Sequence, residues 1–208
     1  MAWRIGLAVG FAGAVALGSG TAKAEEPSRS DPWGEQSGAP YVRFEGDAIG
    51  TPGVWPNPSI GGDVAIVAGR PRLHARVGVG AMATPSFTLG DRGKVGSVLE
   101  TSDLEGCAAS HYGLHRVRLC AGMQAGVMHL QWSGFAAPGR RQLPWFAAVG
   151  GASYGIALGR IVDLHAGIGL GVPLARPRLM TRTRDGIDLE PSGLVFSTFR
   201  IGIGFRLG

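Results

Sequence analysis

Five histidines, two cysteines and a set of scattered arginines and carboxylates are the side chains of this 208-residue chain able to do chemistry. His111 and His115 stand four apart but flank Gly113, so they form no helical metal-binding pair, and no H-E-x-x-H zinc signature occurs. His74 and His165 alternate with apolar neighbours, which suits a hydrogen-bonded interior better than a metal site. Ser153, His165 and Asp163 are the residue types of a nucleophile, a base and its orienter. A few polar residues on one strand face supply such a trio by coincidence. No phosphate-binding loop, paired catalytic acids or nucleotide motif is present. These side chains therefore point to no catalytic residue, no metal and no cofactor. Cys107 and Cys120 are thirteen apart, and in an exported chain the spacing suits a disulfide, worth ~3 kcal/mol in the chain-entropy account. Residues 175–184 carry Arg176, Arg178, Arg182 and Arg184. Guanidinium groups match phosphate geometry, so this segment either grips an anionic surface or is a solvated loop balanced by Asp185, Asp188 and Glu190.

The elements that must position these residues are strands. The chain ends FRIGIGFRLG, with Phe199, Ile201, Ile203, Phe205 and Leu207 alternating with Arg200, Gly202, Gly204 and Arg206. A period of two is the pattern of a strand with unlike faces. The same alternation runs through residues 41–48, 72–83, 116–127, 145–158 and 162–174. Residues 63–69 form a strand of uncertain phase, and 94–104 a weaker one. The phase of the fifth strand slips near Met128, as at a bulge. That makes about eight strands. Short connections are expected at 69–71, 105–113 and 159–161. Long ones are expected at 49–60, 85–94, 133–143 and 175–191. No stretch shows a helical apolar period.

Composition fixes the setting. Glycine is abundant at 36 residues, DEKR make up only 17 %, and Lys23 and Lys94 are the only lysines. Residues 1–24 carry Arg4, an apolar run and an Ala22-Lys23-Ala24 cleavage site, the pattern of a secretory signal peptide. Loss of Arg4 and Lys23 takes the net charge from +5 to +3. Residues 25–39 read as a flexible leader and 40–208 as one β domain. The basic residues are dispersed rather than clustered on a face, which argues against nucleic acid.

The polar faces decide which side of the strands meets water. A soluble surface needs dense charge, whereas here it would be mostly glycine. Turned inward, the same face fits the narrow interior of an eight-stranded barrel, where small residues make room for large ones. Arg43, Arg76, Arg116, Arg118 and Arg200 would then pair there with Glu45, Asp47 and Asp163, joined by His74 and His165. The apolar faces would meet lipid. The seven outward positions of residues 162–174 span ~40 Å of strand, enough to cross the hydrocarbon band at ~45° tilt. Trp132, Phe135, Trp145 and Phe146 would form either part of an aromatic girdle or ordinary hairpin packing.

These features resemble the small eight-stranded outer-membrane β-barrels of Gram-negative bacteria, the OmpA/OmpX-like class. The resemblance covers residues ~40–208 and rests on the signal peptide, the dyad alternation and the loop asymmetry. It implies an all-β, antiparallel, up-and-down transmembrane barrel, monomeric, in the outer membrane. It also implies contact with outer-membrane lipid including lipopolysaccharide, and biogenesis by the barrel-assembly machinery. The final strand looks like the signal that machinery reads, except that Arg206-Leu207-Gly208 follow Phe205. Some barrels of this class act on lipid. Their deacylase pattern puts a Ser two residues after a His, and here Arg76, Gly113, Val117, Gln131 and Gly167 stand at those positions. The expected role is structural or surface-interacting. The alternatives are a lipid-modifying barrel, or a soluble periplasmic barrel or sandwich binding an apolar ligand with the apolar stripes turned inward. If the 175–184 arginines grip lipopolysaccharide, replacing all four with Gln lowers the lipopolysaccharide retained on purification; unchanged retention rules the grip out.

Overall fold

The computed structural model describes Trp33 and residues 38–89, 93–134, 138–175 and 193–207. Eight strands follow one another: β1 Tyr41–Thr51, β2 Ser59–Gly69, β3 Leu73–Leu89, β4 Gly93–Tyr112, β5 His115–Ser133, β6 Gly139–Ala157, β7 Val162–Ala175 and β8 Phe196–Leu207. Each pairs antiparallel with its neighbours in sequence, and β1 pairs with β8 to close the barrel. Closure leaves no strand edge unpaired, which a hydrocarbon environment demands.

The two faces separate by parity. Outward positions carry Ile201 at 71 % exposure, Leu73 at 68 % and Ile60 at 66 %, whereas inward Arg76 is 0 % exposed, Arg43 1 % and Glu45 3 %. The apolar stripes thus lie outside and the Gly/Arg face lines the lumen, the reverse of a soluble barrel with an apolar interior.

Several sequence expectations change in detail. The fourth strand is not confined to 94–104, and residues 105–112 are strand rather than turn. Thr101, Asp103, Glu105 and Cys107 alternate inward in TSDLEGC, so the period of two continues through the segment expected to turn. The turn is only Gly113-Leu114, with Gly113 at φ 58°, the first loop position of a two-residue hairpin where glycine is favoured. β2 begins at Ser59, and its inward positions include Asp63, Ala65 and Val67. β5 does not slip at Met128: its register with β4 and β6 is continuous. The apparent slip arises because the inward face itself turns apolar there, with Met128 and Leu130 buried. Register shifts fall instead between Thr84 and Phe87 and between Phe146 and Ala147. The connections expected at 85–94 and 133–143 shorten to 90–92 and 134–138 because β3 to β6 run to 17, 20, 19 and 19 residues, against 11 in β1 and β2, whereas the last connection is longer than expected, since β8 begins only at Phe196.

Trp132 and Trp145 are not girdle residues. Trp145 is fully buried, and Trp132 packs on a lumen cluster of Ile49, Val54, Trp55, Met82, Phe87, Val95, Leu99, Met128, Leu130, Ala147 and Phe196. Phe146 does face outward, 47 % exposed. The leader is not free along its whole length either, since Trp33 is buried. Residues 1–24, expected to be a signal peptide, lie outside the described residues, as do Phe135 and the arginines at 176, 178, 182 and 184.

The inward glycines hold space. A Cβ at Gly204 would strike the Arg43 guanidinium, one at Gly171 the Phe196 ring, and one at Gly202 would lie 2.5 Å from the Gly46 carbonyl and 2.8 Å from His165 Nε2. Outward Gly106 has nothing within 4 Å. Gly202→Val is therefore expected to destabilise the barrel by about 1–3 kcal/mol, and Gly106→Ala to leave it near wild type. Urea unfolding midpoints of the refolded protein in detergent check both.

Candidate functional site

The lumen is built in layers. Toward the long loops sits the apolar cluster, where Trp145 lies 5.6 Å from Phe196 and Trp55 5.7 Å from Phe87. Val54 and Trp55 come from the 52–58 connection, which folds inward over the mouth. The Trp145 indole N–H donates to Gln124 at 2.9 Å, satisfying its one buried donor. Beside this cluster is a hydroxyl chain. Ser59 and Thr84 lie 2.7 Å apart, and Ser97 donates to Thr84 at 3.0 Å.

The middle layer is ionic, and Arg76 on β3 is its hub. Its Nε meets Glu45 at 3.2 Å, and its two terminal nitrogens meet Asp47 at 3.2 Å, Asp63 at 2.5 Å, Asp103 closely and Glu105 at 3.6 Å. One guanidinium has five N–H donors, and five carboxylates surround it. Glu45 also accepts from Arg118 at 2.6 Å and lies 3.0 Å from Arg43. Arg43 reaches Asp163 at 2.7 Å, and Arg116 lies 3.6 Å from the same oxygen. Arg200 donates to Glu105 at 3.1 Å, tying β8 to β4 across the lumen. His165 Nε2 bonds Asp47 at 2.6 Å.

The structure thus brings nearly all the sequence-selected lumen residues together: Arg43, Glu45, Asp47, Arg76, Arg116, Arg118, Asp163, His165 and Arg200. His74 is buried in the same lumen, but neither ring nitrogen has a hydrogen-bond partner among the described residues, and its ring lies edge-on to Tyr41 at 6.1 Å. Asp63, Asp103 and Glu105 were missed by sequence reasoning. The signal was present in the alternation of TSDLEGC and in the parity of β2. Cys107 and Cys120 are disulfide-bonded and stand directly opposite each other on β4 and β5.

The geometry does not assemble a hydrolytic trio. Ser153 Oγ accepts from Arg118 Nε at 3.0 Å, while the His165 nitrogens face Asp47 and, at 3.2 Å, Arg43. No ring nitrogen of His165 remains to activate Ser153. Glu45, Asp47 and His165 lie close enough to share a metal ion, but Arg43, Arg76 and Arg118 already supply cations to them. Cavities of about 50 and 20 Å³ lie along the lumen, water-sized spaces rather than room for a solute.

With this geometry in view, solved structures give the fold's relatives. A major outer membrane protein from Thermus thermophilus matches with a TM-score of 0.58 at 13 % identity, over 81 % of this chain and 100 % of that one. Ail, the attachment invasion locus protein of Yersinia pestis, gives 0.47 at 10 % identity, over 81 % and 97 %. Neisserial surface protein A gives 0.42 at 11 %, over 81 % and 96 %. No protein-family model and no curated protein matches the sequence. The fold is that of the small eight-stranded outer-membrane β-barrels.

Removing one partner of a buried ion pair strands the other charges, at about 3–5 kcal/mol. Arg76→Met should cost at least that and abolish refolding or lower the urea midpoint sharply. Arg200→Met, at a less buried site with one acceptor, should cost less. Parallel unfolding curves compare the two.

Proposed function

We propose that this chain is exported by a cleaved signal peptide to the outer membrane of a Gram-negative bacterium. There it serves as a monomeric structural or surface-interacting barrel rather than as an enzyme or a general pore. The observation that carries this reading is the polarity of the closed barrel, with apolar side chains outward on every strand and charged ones inward. Water would leave those outward Ile, Leu, Val and Phe side chains unburied, whereas lipid accepts them without close fit. The taller β3–β6 wall adds support. On its outer face the stripe gives way to Lys94, Glu100, His129, Gln131, Arg140 and Gln142, a polar surface suited to the water beyond the membrane. Glu100 and His129 lie 3.6 Å apart on it. The partners that follow from this placement are outer-membrane lipid, lipopolysaccharide among it, and the barrel-assembly machinery during insertion.

Membrane fractionation with electrophoresis of unboiled and boiled samples tests the placement. The expected result is a band in the outer-membrane fraction whose mobility shifts on boiling, with no porin-sized conductance step in planar bilayers. Release with the periplasmic fraction and no shift overturns the membrane placement. Large stepwise conductance overturns the filled lumen.

A further inference from the structure

The short-turn mouth of the lumen differs from the balanced layer above it. A cavity of about 20 Å³ there is lined by Trp33, Tyr41, Arg43, Arg116, Asp163 and Arg206, among others. Asp163 is the one carboxylate among the described lining residues, and it is already within 2.7 Å of Arg43. Among the described residues, four N–H donors on this wall have no hydrogen-bond partner: Nε and Nη1 of Arg43, Nη2 of Arg116, which lies 3.6 Å from Asp163 Oδ1, and Nε1 of Trp33. Their residues are 1 %, 3 % and 7 % exposed. The Trp33 ring sits over the Arg116 guanidinium at 4.6 Å and lies 5.5 Å from the His111 ring.

Donors outnumber acceptors among the unused groups: Asp163 Oδ1 is also without a hydrogen bond, though it already lies 2.7 Å from Arg43 Nη2. Three of the four donors belong to cations. A metal ion would be repelled, and a large ligand would not fit. A buried donor without a partner costs free energy, most of all on a charged group. One small anion answers several donors at once and offsets the local excess of positive charge. The space admits a single species of about water size.

We infer that this cavity binds one halide-sized anion, held by Arg43 and Arg116 and capped by Trp33 from the segment before β1. The site depends on the lumen and the leader residue, and so stands whether or not the barrel's role is that proposed above. It also accounts for the burial of Trp33, whose indole N–H completes the donor set while its ring covers the guanidinium.

Crystals of the full chain grown in sodium bromide, measured at the bromine absorption edge, test the inference directly. The expected map has an anomalous peak in contact with Arg43 and Arg116. In solution, bromide should raise the urea midpoint relative to gluconate at equal ionic strength, because an anion that binds only the folded state stabilises it. That rise should vanish in Arg116→Gln and shrink in Trp33→Phe, which keeps a ring but loses the donor. A cavity filled by water or by a carboxylate of the chain overturns the inference, as do bromide peaks confined to the outer surface. An unchanged halide effect in Arg116→Gln overturns it too. If Arg116→Gln fails to refold, the wild-type anomalous map decides.

Discussion

Arg76 is a guanidinium with no contact with solvent, and five carboxylates from three strands converge on it. Glu45 and Asp47 come from β1, Asp63 from β2, and Asp103 and Glu105 from β4, so the strands on both sides of β3 are tied to one centre. Each charge is costly to bury and is tolerated only because the others are present. Arg118 carries the network across the lumen to β5, Arg43 to β7 and Arg200 to β8. Much else in the structure follows from making room for these long side chains. Gly78 stands beside Asp103, Gly202 beside Asp47 and Gly204 beside Arg43. Glycine weakens a strand when judged by itself. Here the ladder on both sides holds the backbone, and the missing side chain is space that a charged side chain of the network fills.

The second constraint is closure. A charged interior forces the apolar positions outward, and an apolar exterior calls for a solvent that is not water. Within that solvent every backbone N–H and C=O must be met by a neighbouring strand. The pairing of β1 with β8 supplies the last set. The outward apolar face needs little shape specificity, which is why it uses Val, Leu, Ile, Ala and Phe almost interchangeably. Specificity sits inside, in the ion pairs, the disulfide between β4 and β5, and the cluster near the long loops.

That cluster shows that the lumen is not polar throughout. Where β3 to β6 outrun their neighbours, a hydroxyl chain and then a conventional aromatic core replace the charged layer. Trp55 from the 52–58 connection and Phe196 at the start of β8 complete the core. The extension carries its own small hydrophobic interior, which lets the tall wall stand beyond the apolar belt. At the opposite mouth Trp33 covers Arg116, so each end of the lumen has an aromatic cover of different chemistry.

The sequence by itself determined the strand character, the eight-fold repetition and the inward assignment of Arg43, Glu45, Asp47, Arg76, Arg116, Arg118, Asp163, His165 and Arg200. Side-chain alternation is local, and a face made of Gly and Arg has few physical uses outside a narrow barrel. The cysteine pair was legible from spacing and from the export that residues 1–24 lead one to expect. The tertiary structure decided what depends on several strands at once. It placed Asp63, Asp103 and Glu105 around Arg76, because only the register of β2, β3 and β4 sets which acids meet which guanidinium. It turned Met128, Leu130 and Trp145 inward, since an apolar residue on a polar face looks like a phase error until the facing strands supply apolar partners. It drew Trp33 into the mouth, where a cation beneath the ring and a closed wall around it exist only after all eight strands have met.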